Sequence, residues 1–190
     1  MKGIYALQEL TKFQEEFESY DTDTTINEIR DCIVGNYLGY DLLNFNKHGF
    51  DCKSSETKKY LEVKQCSIFS KRIGGTWNDT SEEKAMAFSD NRLFTAVGVW
   101  KGATDLQFIV YGQHKDLGGY LLERVKAVAN TSIRSTQSIG IEKMIKDYNF
   151  MVISPPSKTK EFVYELLIGY KIGLAKVITK DDIREISDLL

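Results

Sequence analysis

Two short segments with alternating polar and apolar side chains constrain this chain more than any other feature. Residues 48–53 and 59–65 each carry a strand-like pattern, and the connection between them is short and polar. Side chains alternate along a strand, so Glu62 and Lys64 share one face of the second segment, while apolar residues occupy the other. The sequence therefore predicts a β-hairpin with one apolar face and one charged face.

The pairing of the two strands decides what chemistry the charged face carries. In the simplest antiparallel register Asp51 lies beside Glu62, which brings two carboxylates and the ammonium group of Lys64 to one patch. Oxygen ligands suit hard divalent cations, and such a cation beside a phosphate activates water for hydrolysis. These residues predict a site for Mg²⁺, with Mn²⁺ as a substitute. A solvated hairpin face on which Glu and Lys only pair with each other is the alternative interpretation.

The Glu-x-Lys spacing alone has little specificity, because the chain contains it three times, beginning at Glu56, Glu62 and Glu82. The first occurrence lies in a polar turn, and the third has the character of a first helical turn, where acidic residues are favoured. Only the occurrence at Glu62 combines flanking apolar residues with an aspartate on the preceding strand, so it is the candidate site.

The combination of Asp51 with Glu62 and Lys64 resembles the PD-(D/E)xK nuclease superfamily, which includes restriction endonucleases, some homing endonucleases and junction resolvases. The proline of the family motif is missing, since Phe50 precedes Asp51. By order of elements the resemblance covers about residues 22–112. It implies an α/β three-layer sandwich, in which a mixed β-sheet is flanked by helices, with a restriction-endonuclease-like core.

The resemblance also implies an activity, namely Mg²⁺-dependent hydrolysis of phosphodiester bonds in duplex DNA at specific sites, as in a type II restriction endonuclease. One site per chain and cleavage of both strands imply a homodimer. Two alternatives stay open. One is a homing endonuclease or Holliday-junction resolvase of the same superfamily, and the other is a non-catalytic DNA-binding module on the same scaffold.

A third carboxylate is expected in many members of the resembled superfamily, from the helix before the hairpin. Glu28 is the candidate metal ligand by its place in the chain. On a helical wheel it lies roughly 200° from Ile26, opposite the apolar stripe. Capping of its own helix, which is predicted to begin near Thr24 or Thr25, is therefore the competing role.

Candidate DNA contacts follow the hairpin in a segment predicted to be a loop, residues 70–80. Lys71 and Arg72 suit phosphate contacts, because basic residues near the hairpin need only line a groove. Trp77 could stack on or wedge between bases, and Asn78 could read an adenine edge. An ordinary loop that leads into the next helix is the structural alternative.

A second polar segment, residues 132–138, has the composition of a base-reading strand or loop. Arg134 pairs well with guanine and Gln137 with adenine, since each side chain can form two hydrogen bonds to one base edge. A polar edge strand without a role in binding is the alternative.

Length and composition bound these interpretations. The 190 residues predict one domain, 1–190, and 42% apolar residues are enough for a core. The sequence contains no run of about 18 apolar residues, so no membrane span is predicted. Three cysteines without paired spacing favour a reduced, cytoplasmic setting. A net charge of −2 and a pI near 5.8 argue against a sequence-independent nucleic-acid binder, but not against a site-specific one.

Hydrophobic periodicity predicts the remaining elements. Helices are expected over 6–17 and from Thr24 or Thr25 to near Gly39, before the hairpin. Two strands rich in β-branched and aromatic residues are expected at 93–100 and 106–111. Further helices are predicted at 81–88, 117–128, 141–146, 160–167 and 181–190, with a strand at 150–153.

Overall fold

A mixed β-sheet with helices on both faces is the framework of the protein. The computed structural model describes residues 2–16, 22–43, 50–78, 80–128, 136–172 and 176–182. The helices are α1 (Lys2–Glu16), α2 (Thr22–Leu38), α3 (Glu82–Ala87), α4 (Lys115–Val128), α5 (Ile141–Tyr148) and α6 (Lys160–Gly169). The strands are β1 (Asp41–Leu42), β2 (Cys52–Lys53), β3 (Tyr60–Ser67), β4 (Gly74–Trp77), β5 (Leu93–Lys101), β6 (Asp105–Gln113), β7 (Gln137–Gly140), β8 (Met151–Ile153) and β9 (Val177–Ile178).

The described strands form two sheets. The larger has seven strands in the order β1-β2-β3-β5-β6-β8-β9, and the smaller pairs β4 with β7. In the larger sheet β3 runs parallel to β5 and β8 parallel to β9, whereas the other neighbours are antiparallel. The charged hairpin of β2 and β3 is therefore paired, through β3, with the long central strand β5.

Alternation along the strands separates two apolar cores. On one face Val34 of α2 packs with Leu61 and Val63 of β3. On the other face residues of α4, α5 and α6 pack against β5, β6 and β8, together with Trp77 and Phe88. Glu62 and Lys64 alternate with Leu61 and Val63, so they lie on the face opposite α2.

Polar contacts fasten α2 to the back of β3 and β5. Gln65 of β3 donates from Nε2 to Oδ1 of Asp31 at 2.7 Å, and its Oε1 accepts from the indole nitrogen of Trp100 at 2.5 Å. Arg30 donates to the carbonyl oxygens of Gly102 and Ala103 at 2.8 and 3.0 Å, with its guanidinium 5.2 Å from the Trp100 ring centre. This set of contacts, here named the α2 clamp, fixes α2 against β3 and β5 on the face opposite Glu62 and Lys64.

The predicted α/β architecture is confirmed at the level of a mixed sheet flanked by helices, and most predicted elements occur near their expected bounds. One expectation about the start of a helix was wrong. Helix α2 begins at Thr22, ahead of Thr24 and Thr25, so a capping box with Glu28 is not its start. Helix α3 is capped by Ser81, whose side chain accepts from the backbone N–H of Lys84 at 3.1 Å. Of the predicted helix at 181–190, only residues up to 182 lie within the described part, and residues 180–182 are helical.

The predicted loop at 70–80 contains a strand. Residues Gly74–Trp77 form β4 and pair antiparallel with β7, from Gly74 opposite Gly140 to Trp77 opposite Gln137. Two adjacent glycines and no apolar alternation conceal this strand in the sequence, and its partner lies some 60 positions away in the chain. None of the helices in the described part of the chain is both long and apolar enough to cross a bilayer.

Two adjacent glycines in α4 provide a matched test of how closely this helix packs against Phe88. A Cβ at Gly118 would lie 2.6 Å from the backbone oxygen of Phe88, whereas a Cβ at Gly119 would meet nothing within 4 Å. We expect Gly118→Ala to destabilise the protein by about 1–3 kcal/mol, because backbone cannot yield as a side chain does. Gly119→Ala should raise stability by about 0.5–1 kcal/mol through helix propensity. Urea unfolding measures both, and equal effects of the two substitutions would contradict the packing of α4 against Phe88.

Candidate active site

The β2–β3 hairpin places Asp51 beside Glu62. Cys52 pairs with Leu61 and Lys53 with Tyr60, and the same register puts the preceding residue, Asp51, opposite Glu62. The Asp51 N–H donates to the Leu61 carbonyl oxygen at 3.0 Å. The hairpin and its register are therefore as the sequence predicts.

The carboxylate of Asp51 is fixed by the backbone of the neighbouring strand. Its Oδ2 accepts a hydrogen bond from the N–H of Val63 at 2.7 Å. The Val63 N–H lies beyond the two residues of β2, so it has no partner in that strand and the Asp51 side chain satisfies it instead. One oxygen of Asp51 is thus tied to β3, next to the residue that carries the second carboxylate.

Glu62 is a buried carboxyl group with one close cation. It is 3% exposed, and its Oε1 lies 2.5 Å from Nζ of Lys64. Burial raises the pKa of Glu62 to about 7, since the charge of Lys64 offsets the loss of hydration only in part and the nearby charge of Asp51 adds to the rise. Two carboxylates on neighbouring strands, the buried Glu62 and the half-buried Asp51, thus form an arrangement that favours binding of a further positive charge.

The side chain of Lys64 lies in a partly enclosed position beside Trp77 and Gly75. Its side chain is 22% exposed, and Nζ lies 6.0 Å from the ring centre of Trp77. A Cβ at Gly75 would lie 3.3 Å from Cγ of Lys64 and 2.7 Å from the Trp77 ring, so the glycine leaves room for both side chains. Burial lowers the pKa of Lys64, but the charges of Glu62 and Asp51 outweigh it and raise the pKa above its ordinary value. The ammonium group therefore stays charged at neutral pH.

Two further polar residues lie on the same face and are absent from the sequence prediction. Thr95 of β5 pairs in register with Glu62 and is fully buried. Its hydroxyl forms a hydrogen bond with Nδ1 of His114, a fully buried residue that follows β6. Burial, together with the charge of Lys64, lowers the pKa of His114 to about 3, so the imidazole is neutral. A threonine within an otherwise apolar strand is the only sequence signal that points to this pair.

The structure corrects two of the predicted DNA contacts. Trp77 is 1% exposed and belongs to the core, so its ring is not available to stack on a base. Gln137 is 8% exposed, lies in β7, and its Oε1 accepts from Nε of Arg124 at 3.4 Å, so it is not presented as a base reader. Both side chains are covered because β4 and β7 pair and close over the layer beneath them.

The other predicted DNA contacts have different outcomes. Lys71, Arg72 and Asn78 are exposed, so they remain candidate contacts. Arg134 lies outside the described residues. The first residues of the motif segment, His48 and Gly49, lie outside them as well.

Glu28 is not brought beside the carboxylate pair. It lies on α2, whose packing residues contact the Leu61 and Val63 face of the sheet. The carboxylate of α2 that approaches β3 is instead that of Asp31, which accepts a hydrogen bond from Gln65. This contact lies on the face of the sheet that carries Leu61 and Val63, away from Glu62. Among the described residues, no group of three or more His, Cys, Asp or Glu side chains is arranged to hold a metal ion.

The donor set of Asp51 and Glu62 nevertheless fits Mg²⁺. This ion commonly takes one or two carboxylates from the protein and completes its shell with water and substrate phosphate oxygens. Burial raises the pKa of Glu62 and the charge of Asp51 adds to the rise, so a further cation at this position would stabilise the ionised pair. Comparison with models of known protein families and with curated protein sequences finds no match to this chain. What the site can do therefore follows from its geometry and charge.

Proposed function

We propose that the protein is a Mg²⁺-dependent endonuclease that hydrolyses phosphodiester bonds of duplex DNA at specific sites. The observation that carries this proposal is the convergence of the Asp51 carboxylate, the buried Glu62 carboxyl group and the Lys64 ammonium group on one end of a hairpin. The same three residues carry the resemblance to the PD-(D/E)xK nucleases. Cleavage of both strands with one site per chain requires two copies, so the active form is proposed to be a homodimer.

The residues of the site have separate tasks in this proposal. Asp51 and Glu62 would hold Mg²⁺, which when bound lowers the pKa of a water molecule and draws charge from the phosphate. Asp51 is oriented for this by the Val63 N–H, which holds one of its oxygens in place. Lys64 neutralises negative charge beside the attacked phosphate and orients the attacking water through its N–H donors.

Burial of the site makes these interactions stronger than they would be at the surface. Lys64 lies between Glu62 and the face of Trp77, which together restrict the positions of its ammonium group. The neutral His114 and the Thr95 hydroxyl occupy the floor next to Glu62 without adding charge. A positioned cation in such a low-dielectric environment stabilises developing charge with little reorganisation.

A plasmid assay tests the proposal directly. Supercoiled plasmid incubated with the protein and Mg²⁺ is expected to give discrete linear fragments, and EDTA is expected to prevent cleavage. Mn²⁺ should replace Mg²⁺, because both take oxygen ligands, whereas Ca²⁺ should permit DNA binding with little cleavage. Equal cleavage in EDTA and in Mg²⁺ would exclude the metal-dependent mechanism.

The same assay separates the alternatives from the proposal. A four-way junction that is cut when linear duplex is not would indicate a junction resolvase. DNA binding without cleavage in either metal, on plasmid and on branched substrates, would indicate a binding module.

A further inference from the structure

A cavity of about 280 Å³ lies where the turn after β3 meets the beginning of α5. Residues 70–73 form one wall and residues 140–143 form the other, with Tyr170 and Ile172 at the side. None of the residues that line it belongs to the carboxylate pair or to Lys64. The cavity is therefore a separate feature, on the continuation of the strand that carries Glu62.

The charges around the cavity are unequal. Glu142 is paired with Lys146 at 2.6 Å, and Lys143 is paired with Asp147 at 2.6 Å, so α5 contributes little net charge to the rim. Lys71 and Arg72 are exposed, and among the described residues neither has a carboxylate partner within ion-pair distance.

Arg72 reaches across to the opposite wall. A Cβ at Gly140 would lie 3.1 Å from Nε of Arg72, so the guanidinium covers the glycine at the start of α5. Gly140 offers no capping side chain, although the Ile141 N–H donates to the Ile73 carbonyl oxygen at 3.0 Å. The cavity thus has a net positive rim beside the first turn of α5.

The same turn exposes an aromatic ring. Phe69 is 72% exposed, which is unusual for a phenylalanine and is not explained by packing within the described residues. An exposed ring two and three positions before unpaired cations is the combination that proteins use to hold nucleic-acid strands, with bases stacked on the ring and phosphates on the cations.

We infer that this cavity binds a phosphate of the nucleic-acid backbone, with Lys71 and Arg72 as its cationic ligands and Phe69 as a platform for an adjacent base. The inference rests on the proposed function, because it assigns the substrate strand a second point of attachment. From Lys64 to the end of β3 at Ser67 is about 10 Å at roughly 3.3 Å per residue. That span corresponds to about three nucleotides at roughly 3.4 Å each. The turn after β3 would therefore contact the nucleic-acid strand about three nucleotides from the bond that is cut.

Fluorescence anisotropy with labelled oligonucleotides in EDTA tests the inference without cleavage. The double variant Lys71→Gln/Arg72→Gln is expected to bind duplex about tenfold more weakly and to lower the slope of log K against log salt by about 0.9, for one lost phosphate contact. Phe69→Ala should weaken binding of duplex that carries an unpaired base by about tenfold, with the salt slope unchanged. Lys126→Gln, which removes one exposed positive charge on α4 that is paired with Glu82 at 3.4 Å, is the control for general charge loss and should bind as the parent protein does.

Three results would overturn the inference. The first is a double variant with unchanged affinity and slope, and the second is an equal loss in Lys126→Gln, which would indicate diffuse attraction. The third is displacement of labelled DNA by micromolar inorganic phosphate at matched ionic strength, which would identify a site for the free ion.

Binding in EDTA tests the cavity, and cleavage in Mg²⁺ tests the nuclease proposal, so either experiment can give a negative result without the other. Parent protein that cleaves DNA, together with a double variant that binds normally, rejects the phosphate pocket and leaves the nuclease proposal standing. Pocket-dependent binding by a parent protein that cleaves nothing supports the pocket and rejects the nuclease.

Discussion

Replacing Glu62 with glutamine is expected to abolish cleavage and, at the same time, to make the metal-free protein more stable. The loss of a carboxylate that is proposed to hold the metal should reduce the cleavage rate by at least about a thousandfold, equivalent to roughly 4 kcal/mol of transition-state stabilisation. Mg²⁺ is expected to raise the melting temperature of the parent protein by binding its folded state, and Glu62→Gln should remove that rise.

The gain in stability follows from the pKa of Glu62. Its folded-state pKa, about 7, lies above its ordinary value of 4.5, so ionisation of this group disfavours the folded state. The stabilising contribution of the protonated group is complete below pH 4.5 and is lost as the pH rises through 7. The difference corresponds to about 3 kcal/mol. Glutamine does not titrate, so Glu62→Gln should match the parent protein near pH 4 and exceed it by about 3 kcal/mol at pH 8.

Urea unfolding in EDTA across this pH range measures the effect. Glu56→Gln is the matched control, since it alters an exposed glutamate with the same Glu-x-Lys spacing in the turn. It should leave cleavage, metal response and stability unchanged. A Glu62→Gln protein that is no more stable than the parent at pH 8, or that still cleaves, would contradict the assignment of Glu62.

Lys64→Met is expected to separate rate from metal binding. Methionine retains an apolar stem beside Trp77 but removes the ammonium group, and loss of such a positioned charge should lower the cleavage rate by about 10²–10³-fold. The pKa of Glu62 should rise above 7, because the charge of Lys64 holds it down. Stabilisation by Mg²⁺ should therefore persist but should require a higher pH than in the parent protein.

The pH dependence of the melting temperature, with and without Mg²⁺, measures this shift. Lys84→Met is the control, since Lys84 also lowers the pKa of Glu62 but to a smaller extent than Lys64 does. A Lys64→Met protein that cleaves at the parental rate would reject the catalytic role. One that fails to bind metal even at high pH would show that Lys64 is needed to assemble the carboxylate pair.

Local pattern was sufficient to predict the hairpin and its register. Strand alternation assigns Glu62 and Lys64 to one face, and a short connection leaves few ways to pair Asp51. These are interactions between neighbours in the chain, which sequence spacing expresses directly. The roles of the three residues in catalysis remain a proposal.

Pairing between distant segments was not predictable in the same way. Strand β4 reads as a glycine-rich loop, and only its pairing with β7 makes it a strand and buries Trp77 and Gln137. Both residues were predicted to contact DNA because polar and aromatic composition suggests exposure, which tertiary packing overrode. The contact between Thr95 and His114 was also not predicted, because one threonine in an apolar strand does not reveal which side chain its hydroxyl will bind.

The α2 clamp determines how the site can fluctuate. Gln65 is fastened to Asp31 and Trp100 from behind, while Val63 is fastened to Asp51 from the side. Separation of β3 from its neighbours would have to break these bonds together with two apolar cores, so local opening of the strand is costly. The backbone amides of Val63 and Gln65 should then exchange with solvent only when the whole protein unfolds. A substrate would accordingly meet charges that are already in position, and the reorganisation that a flexible site requires would have been completed during folding.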